Sequence, residues 1–289
     1  MKALFLLIGL SLSSQLFASS VLVDTNWLEK NINNKNIIVV DTSDHTQHLR
    51  FHIPGAVHIG YSEITYKPKR SNVSIQVPID YFAKLLGQRG ISHDKHIIVY
   101  DDMGGLNAGR LFWQLEQIGH KKVSVLNGGL VKWILEGKTI TNKVLKPKNV
   151  HYQLNAKNVV NNRATLDTVK SSKALLIDAR TKDEYVGHPK YPRTGHIPGA
   201  IHWDWQSNVD FENAFTVKRP EQVKSEQKHI ELGDKNQEVI TYCRSGHRAA
   251  QTYLTLRSMG FNKVKLYDGS MAEYSMNKKA PLEKGCKRC

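Results

Sequence analysis

Short apolar runs alternate with helical patterns along the chain, and this alternation predicts the fold class. The runs Ile37–Val40 and Ala174–Ile177 are too short for helices, and an aspartate follows each of them. Strands that are apolar throughout are typical of a parallel sheet that is covered on both faces. Further along, Ala249, Tyr253 and Leu256 recur at helical spacing. We therefore predict an α/β protein with parallel sheets flanked by helices.

The same series of motifs occurs twice in the same order, which indicates an internal duplication. Both copies contain the sequence "HIPGA", and the motifs on either side match in register. The matched segments are 37–43 with 174–180, 51–59 with 195–203, 96–119 with 238–260, and 122–133 with 263–274. The duplication predicts two domains of the same fold. We place these domains at 21–140 and 159–281, with a linker at 141–158 and a cysteine-containing tail at 282–289.

The first twenty residues fit neither copy. They contain one lysine, an apolar run from Ala3 to about Leu12, and small residues from Ala18 to Ser20, a pattern typical of a secretory signal peptide. A membrane anchor is the alternative, but the apolar run is shorter than the roughly 20 residues that a membrane span requires. We therefore expect residues 1–20 to be removed on export. The mature protein is then expected to be periplasmic or secreted and not bound to a membrane.

The two copies differ in the loop between a matched strand and the helix that follows it. The first copy has Asp101 followed by "DMGGL", and the second has Cys243 followed by "RSGHR". A loop that only connected a strand to a helix could have either composition. The motifs around this loop match between the two copies, whereas the loop itself differs. We infer that the protein uses the thiol of Cys243 chemically.

The position of Cys243 favours a reactive thiolate. A residue between a strand and a helix faces the first N–H groups of that helix, whose partial positive charge stabilises an anion. Arg244 and Arg248 add full positive charges, and Gly246 allows successive N–H groups to converge. An inert, buried cysteine is the alternative. The candidate site consists of Cys243 as the nucleophile and of a loop around its negatively charged sulfur, formed by Arg244, Ser245, Gly246, His247 and Arg248.

Four polar residues outside this loop are better explained by structural roles. Asp41 and Asp178 end buried strands, where an aspartate usually braces a turn. His52 and His196 belong to the "HIPGA" sequences, and we expect them to be satisfied hydrogen-bonding groups.

The two linked "HIPGA" halves and the loop "YCRSGHR" resemble the tandem-domain rhodaneses, the thiosulfate sulfurtransferases. The resemblance extends from about Val21 to about Pro281. It implies that each half is a five-stranded parallel α/β unit and that the first half, which has Asp101 in place of the cysteine, is inactive. It also implies that Cys243 is the catalytic residue and that residues 244–248 bind its persulfide.

The resemblance further implies a double displacement. The Cys243 thiolate would attack the outer sulfur of thiosulfate, sulfite would leave, and an acceptor such as cyanide or a thiol would remove sulfur from the persulfide. Arg244 and Arg248 would bind the oxyanion end of the donor. The expected partners are a small anionic sulfur donor and a thiophilic acceptor. We expect a monomer with no metal or organic cofactor.

Three other functions remain open. A 3-mercaptopyruvate sulfurtransferase typically has glycine at the position that Arg244 occupies in this chain. Many tandem members carry a donor-binding arginine at the position that Glu184 occupies here, so the chain also departs from that pattern. A phosphatase of the related dual-specificity class has a loop one residue longer than the four residues that separate Cys243 from Arg248. A sulfur-relay protein, which passes sulfur to a partner protein without turnover, is compatible with the same residues.

The net charge and the two remaining cysteines bear on the expected partners and on the tail. The formal charge of +15 agrees with an anionic ligand. Lysines interleaved with aromatic residues do not form a block, so we expect no nucleic-acid partner. Cys286 and Cys289 lack the further ligands of a structural zinc site, and in an oxidising compartment we expect them to form a disulfide.

The signal peptide generates a direct prediction. When the full chain is produced in a bacterium with a periplasm, we expect the protein in the periplasmic fraction, with a mass that corresponds to cleavage between Ala18 and Ser20. Intact-protein mass spectrometry of each cell fraction measures this. Recovery of the uncleaved chain from the membrane fraction would instead support an anchor.

Overall fold

The computed structural model describes residues 20–69, 73–171, 173–191, 193–286 and 289. The expected signal peptide lies outside these residues except for Ser20, so it stays a prediction. Among the helices of the described residues, none is long and apolar enough to cross a membrane.

The first half contains one parallel sheet and a short hairpin. Its strands are β1 (Leu22–Val23), β2 (Ile37–Asp41), β3 (Val57–His58), β4 (Thr65–Tyr66), β5 (Ile75–Gln76), β6 (His96–Tyr100) and β7 (Val123–Leu126). The sheet has the order β1-β7-β6-β2-β3 with parallel neighbours, and β4 and β5 form the antiparallel hairpin. The helices are α1 (Thr25–Asn31), α2 (His45–Arg50), α3 (Ile79–Gln88), α4 (Leu106–Gln117) and α5 (Gly129–Leu135).

The second half has the same content. Its strands are β8 (Arg163–Ala164), β9 (Leu175–Asp178), β10 (Ile201–His202), β11 (Val209–Asp210), β12 (Thr216–Val217), β13 (Val239–Tyr242) and β14 (Val264–Tyr267). The sheet order is β10-β9-β13-β14-β8, again parallel, and β11 and β12 form the hairpin. The helices are α6 (Leu166–Ser171), α7 (Lys182–Val186), α8 (Pro220–Glu226), α9 (His247–Ser258) and α10 (Ser270–Tyr274).

The two halves share one topology. When β8 to β14 are matched in sequence with β1 to β7, the strand orders of the two sheets coincide. The central strands β6 and β13 are buried along nearly their whole length, as expected for parallel strands covered by helices on both faces. This confirms the predicted fold class, two α/β domains with five-stranded parallel sheets flanked by helices.

The halves pack against each other through α4 and α9, the helices that follow the two central strands. A Cβ atom on Gly109 would lie 2.8 Å from the carbonyl oxygen of Ala250, so glycine at this position permits the close approach of the two helices. At the far end of the same helices, Arg257 binds Glu116 with a shortest distance of 2.8 Å. One apolar cluster contains buried residues of both halves, and each half has a further apolar cluster of its own.

Each hairpin reaches the opposite half. The backbone N–H of Gln76 at the end of β5 donates to Asp268 Oδ2 at 2.8 Å, just beyond β14. In the reverse direction, the N–H of Val217 in β12 donates to Asn127 Oδ1 at 2.8 Å, just beyond β7. The duplication therefore extends to the contacts between the halves, and each half contributes to the loops of the other.

The linker and the tail both lie against the domains. In the linker, buried Tyr152 bonds through its hydroxyl to His120 Nδ1 at 2.8 Å. In the tail, Cys286 and Cys289 form the expected disulfide, which leaves Cys243 as the free cysteine. The proposed domain boundaries themselves stay predictions.

Candidate active site

Cys243 follows β13 directly and opens a short loop that leads into α9. Its side chain is buried, with 1% of the residue exposed. The loop ends at Gly246, the N-cap of α9, which has a φ of 76°. Glycine is required there for two reasons, because the left-handed conformation disfavours a side chain and because a Cβ atom would lie 2.7 Å from Arg110 Nη1.

The matching loop of the first half shows what this backbone can bind. Asp101 follows β6 as Cys243 follows β13, and its carboxylate accepts four backbone N–H groups. The donors are Met103 at 3.0 Å, Gly105 at 2.9 Å, Asn107 at 2.8 Å and Ala108 at 3.0 Å. Burial raises the pKa of Asp101, while these four bonds favour its ionised form. The loop thus forms a cradle of N–H groups around the carboxyl oxygens of Asp101.

The ends of the two loops coincide at their N-cap glycines, Gly105 and Gly246. The first loop is therefore one residue longer, a difference that an ungapped match of "DMGGL" with "RSGHR" misses. The structural counterpart of Arg248 is Asn107, the second residue of α4, and not Leu106.

The cradle of the second half has open donors. Ser245 lies two residues after Cys243, as Met103 does after Asp101, and Arg248 and Ala249 match Asn107 and Ala108 when positions are counted from the N-cap glycines. In the described part of the chain, the N–H groups of Ser245, Arg248 and Ala249 have no oxygen or nitrogen acceptor. Ala249 is fully buried. Buried N–H groups without a partner are rare in folded proteins. Together with the positive end of the α9 dipole, these groups provide a binding site for an anion beside Cys243.

Ser270 holds this loop in place. Its hydroxyl accepts the N–H groups of Cys243 and Gly246, both at 3.1 Å, and donates to the carbonyl of Tyr267 at 2.7 Å. Ser270 has a φ of 49°, which is costly for a residue with a side chain, and its counterpart Gly129 has a φ of 52°. The hydrogen bonds offset this strain. Sequence reasoning did not find Ser270, although the matched turns "DGS" and "NGG" differ at this position.

The two predicted arginines have different surroundings. Arg248 binds Glu184 through two bonds, Nη1 to Oε2 at 2.6 Å and Nη2 to Oε1 at 3.0 Å. Burial disfavours the charged form of Arg248, but these bonds outweigh burial and raise its pKa, and a negative charge on the nearby Cys243 would act in the same direction. Arg244 is exposed, and within the described residues its side chain has no hydrogen bond or ion pair. Arg244 is therefore the predicted arginine that remains available to a donor.

An open cavity of about 820 Å³ lies beside the loop, with Arg244 and Ser245 in its wall. Lys67, which follows β4 of the first half, lines the same cavity, and its amino group has no partner among the described residues. Two other arginines of the cavity are engaged. Arg180 bonds to Asp178 and to a carbonyl, and Arg193 donates to three carbonyls near the end of α10.

His247 is neutral at pH 7. Burial first, and then the charges of Arg110 and Arg248, lower its pKa to about 4. Its Nε2 lies 2.7 Å from Asn107 Oδ1, and its ring centroid lies 4.2 Å from that of Tyr61. His247 thus joins the cysteine loop to the first half and adds no positive charge to the cavity at neutral pH.

The residues assigned structural roles are hydrogen-bonded as expected. Asp41 Oδ2 lies 2.8 Å from His48 Nδ1, and Asp178 pairs with Arg180. His52 and His196 each place Nδ1 within 2.8 Å of a backbone carbonyl. Over the described ranges, no three His, Cys, Asp or Glu side chains are grouped so that they could hold a metal ion.

Comparison with known proteins decides the family. The model of the rhodanese-like domain matches the chain twice, at residues 24–136 and 162–277. The chain belongs to the rhodanese family. A putative thiosulfate sulfurtransferase of Mycobacterium leprae is 34% identical over 92% of this chain and 99% of its own length. The sulfur carrier protein TtuD of Thermus thermophilus is 30% identical over 92% of this chain and 97% of its own length.

A solved structure of a rhodanese adds a third kind of relative. SseA from Escherichia coli, described as a 3-mercaptopyruvate sulfotransferase, is 26% identical, with a TM-score of 0.73 over 87% of this chain and 99% of its own. The comparisons support a sulfurtransferase activity and leave its sulfur donor open.

The cradle of the first half generates a prediction. Replacement of Asp101 by Ala leaves four N–H donors without their acceptor, so we expect the free energy of unfolding to fall by about 3 kcal/mol. The matched control is Asp102→Ala, one residue along the same loop and only partly buried. Urea denaturation of both variants measures the difference, and equal stabilities would contradict the cradle.

Proposed function

We propose that the protein is a thiosulfate sulfurtransferase with Cys243 as its nucleophile. The Cys243 thiolate attacks the outer sulfur of thiosulfate. A Cys243 Sγ–S bond forms as the S–S bond of thiosulfate breaks, and sulfite leaves with the electron pair of that bond. The persulfide then gives its outer sulfur to a thiophilic acceptor such as cyanide or a thiol, which regenerates the thiolate.

The observation that carries this proposal is the set of unpaired N–H groups around Cys243. The same cradle in the first half is filled by the carboxylate of Asp101. In the second half, the N–H groups of Ser245, Arg248 and Ala249 lack an oxygen or nitrogen acceptor among the described residues. A thiolate, and then the outer sulfur of a persulfide, supplies negative charge at this place, where fixed dipoles stabilise it without reorganisation.

The cavity favours a small oxyanion as the donor. Arg244 and Lys67 line it with free cationic groups, which can bind the sulfonate oxygens of thiosulfate by charge-assisted hydrogen bonds. Arg248 is held by Glu184. We therefore propose that Arg244 and Lys67 bind the donor, and that Arg248 stabilises the sulfur and keeps the loop in place.

A second candidate is 3-mercaptopyruvate as the donor, which the similarity to SseA favours. Its carboxylate could bind the same two cations. A third candidate is a carrier role, which the similarity to TtuD favours. A carrier would hold the same persulfide on Cys243 but would pass it to a protein instead of turning over small acceptors.

The place of the reaction is part of the proposal. We propose that the protein acts in the periplasm or outside the cell, because its first twenty residues have the pattern of a signal peptide. The disulfide between Cys286 and Cys289 supports an oxidising compartment.

The test is the release of sulfite from thiosulfate with cyanide as the acceptor. We expect turnover by the wild-type protein and none by Cys243→Ser, because an alcohol at this position is not ionised at neutral pH. Arg244→Ala should raise KM for thiosulfate about tenfold through the loss of a charge-assisted bond. The matched control is Arg50→Ala, an exposed arginine on α2 of the other half, which should leave KM unchanged.

The same assay separates the three candidates. A higher kcat/KM for 3-mercaptopyruvate than for thiosulfate would assign the other donor. Labelling of Cys243 with sulfane sulfur, without turnover of either donor, would assign the carrier role. Full activity of Cys243→Ser would contradict all three.

A further inference from the structure

A buried ion pair joins the first half to the turn beneath the cysteine loop. Arg110, in α4, and Asp268, just beyond β14, are both fully buried, and their closest nitrogen and oxygen atoms lie 2.6 Å apart. The guanidinium carbon of Arg110 also lies 4.7 Å from the ring centroid of Trp113. Asp268 accepts the N–H of Gln76, so two segments of the first half hold this one carboxylate.

This pair contacts the cysteine loop directly. A Cβ atom on Gly246 would lie 2.7 Å from Arg110 Nη1 and 3.0 Å from Asp268 Oδ1, so both charged groups pack against the loop where α9 begins. Asp268 also starts the turn that carries Ser270, whose hydroxyl holds the N–H groups of Cys243 and Gly246. The ion pair thus packs directly against the loop, and Asp268 adjoins the turn that supports it.

Neutral side chains occupy the two corresponding positions beside the loop of the first half. The duplication matches Asp268 with Asn127, and matches Arg110, four residues into α4, with Gln251, four residues into α9. Gln251 accepts a bond from Asn208 at 2.9 Å and lies 3.4 Å from the carbonyl of Gly104. Two neutral amides therefore lie beside the first-half loop that contains Asp101, which we call the silent loop. An ion pair lies beside the cysteine loop.

Stability alone does not explain this difference. Burying two charges costs several kcal/mol for desolvation, and a buried ion pair can often be replaced by neutral groups without loss of stability. The two loops differ, however, in how they are held. Asp101 holds the silent loop from within by four bonds, whereas a cysteine in the same place offers its loop no comparable set of acceptors.

We propose that Arg110 and Asp268 are positioning residues for sulfur transfer. They hold the cysteine loop from outside in the shape that its anionic sulfur needs, so the half without a nucleophile contributes to the reaction of the other half. The proposal rests on the proposed role of Cys243.

The test replaces the ion pair by the neutral pair of the silent loop. The double variant Arg110→Gln with Asp268→Asn should fold, because the same amides pack at the matching place. We expect its kcat for sulfite release from thiosulfate to fall about tenfold or more, with little change in KM, since Arg244 and Lys67 are untouched. Alkylation of Cys243 by iodoacetamide at pH 7 should slow by a similar factor in the double variant. The single variant Arg110→Lys keeps the positive charge, so its kcat should lie between those of the double variant and the wild type.

The matched control is Arg257→Gln, which removes the ion pair with Glu116 at the far end of the same helices. Its kcat should stay within about twofold of wild type, because the two sites share no partner. Thermal unfolding of each variant shows that it is folded. A wild-type kcat in the double variant, or an equal loss in Arg257→Gln, would overturn the positioning role. If the wild-type protein releases no sulfite, the proposed function fails, and the alkylation rates then decide the positioning role by themselves.

Discussion

The N–H groups at the start of α4 and of α9 favour a negatively charged partner, and the candidate site is arranged around this preference. The backbone of the loop turns its N–H groups towards the residue that follows the central strand. In one half that residue is Asp101, which accepts four of them. In the other half it is Cys243, whose sulfur is uncharged as a thiol and satisfies the groups only as an anion. The same backbone can therefore serve as a closed structural turn or as a site for a thiolate and a persulfide.

The duplication divides two tasks between the halves, since one half carries the candidate nucleophile and the other helps to support its loop. The second half has Cys243, the open cradle and most of the cavity wall. The first half has Lys67 at the cavity, Arg110 beneath the loop and Asn107 beside His247. The hairpins and the helices α4 and α9 lock these groups together across the domain boundary. The half that has Asp101 in place of a cysteine therefore contributes contacts to the loop of the other half.

The fold could be predicted from the sequence, and the candidate nucleophile could be selected from it, because both inferences depend on local patterns. Apolar runs of strand length, helical spacing and the repeated motifs predict two parallel sheets, and the contrast between Asp101 and Cys243 identifies the reactive loop. The sequence could not show that Glu184 binds Arg248, because that pairing depends on how α7 meets α9 in space. Lys67, Arg110 and Ser270 were missed for the same reason, since each acts on a residue that is distant in sequence. The one-residue difference between the loops became visible only from the two helix caps.

The most direct test of the account compares Cys243→Asp with Cys243→Asn. The two side chains have nearly the same shape and differ in charge. The difference between the free energies of unfolding of the two variants therefore shows whether the cradle stabilises an anion. We predict that Cys243→Asp is the more stable variant at pH 7, because Arg248 interacts favourably with a negative charge at this position whereas its counterpart beside Asp101 is the uncharged Asn107. Its advantage should disappear on acidification as the carboxylate is protonated. If Cys243→Asp is the less stable variant at pH 7, as expected for a charge in an apolar interior, the cradle does not bind an anion and the account is wrong.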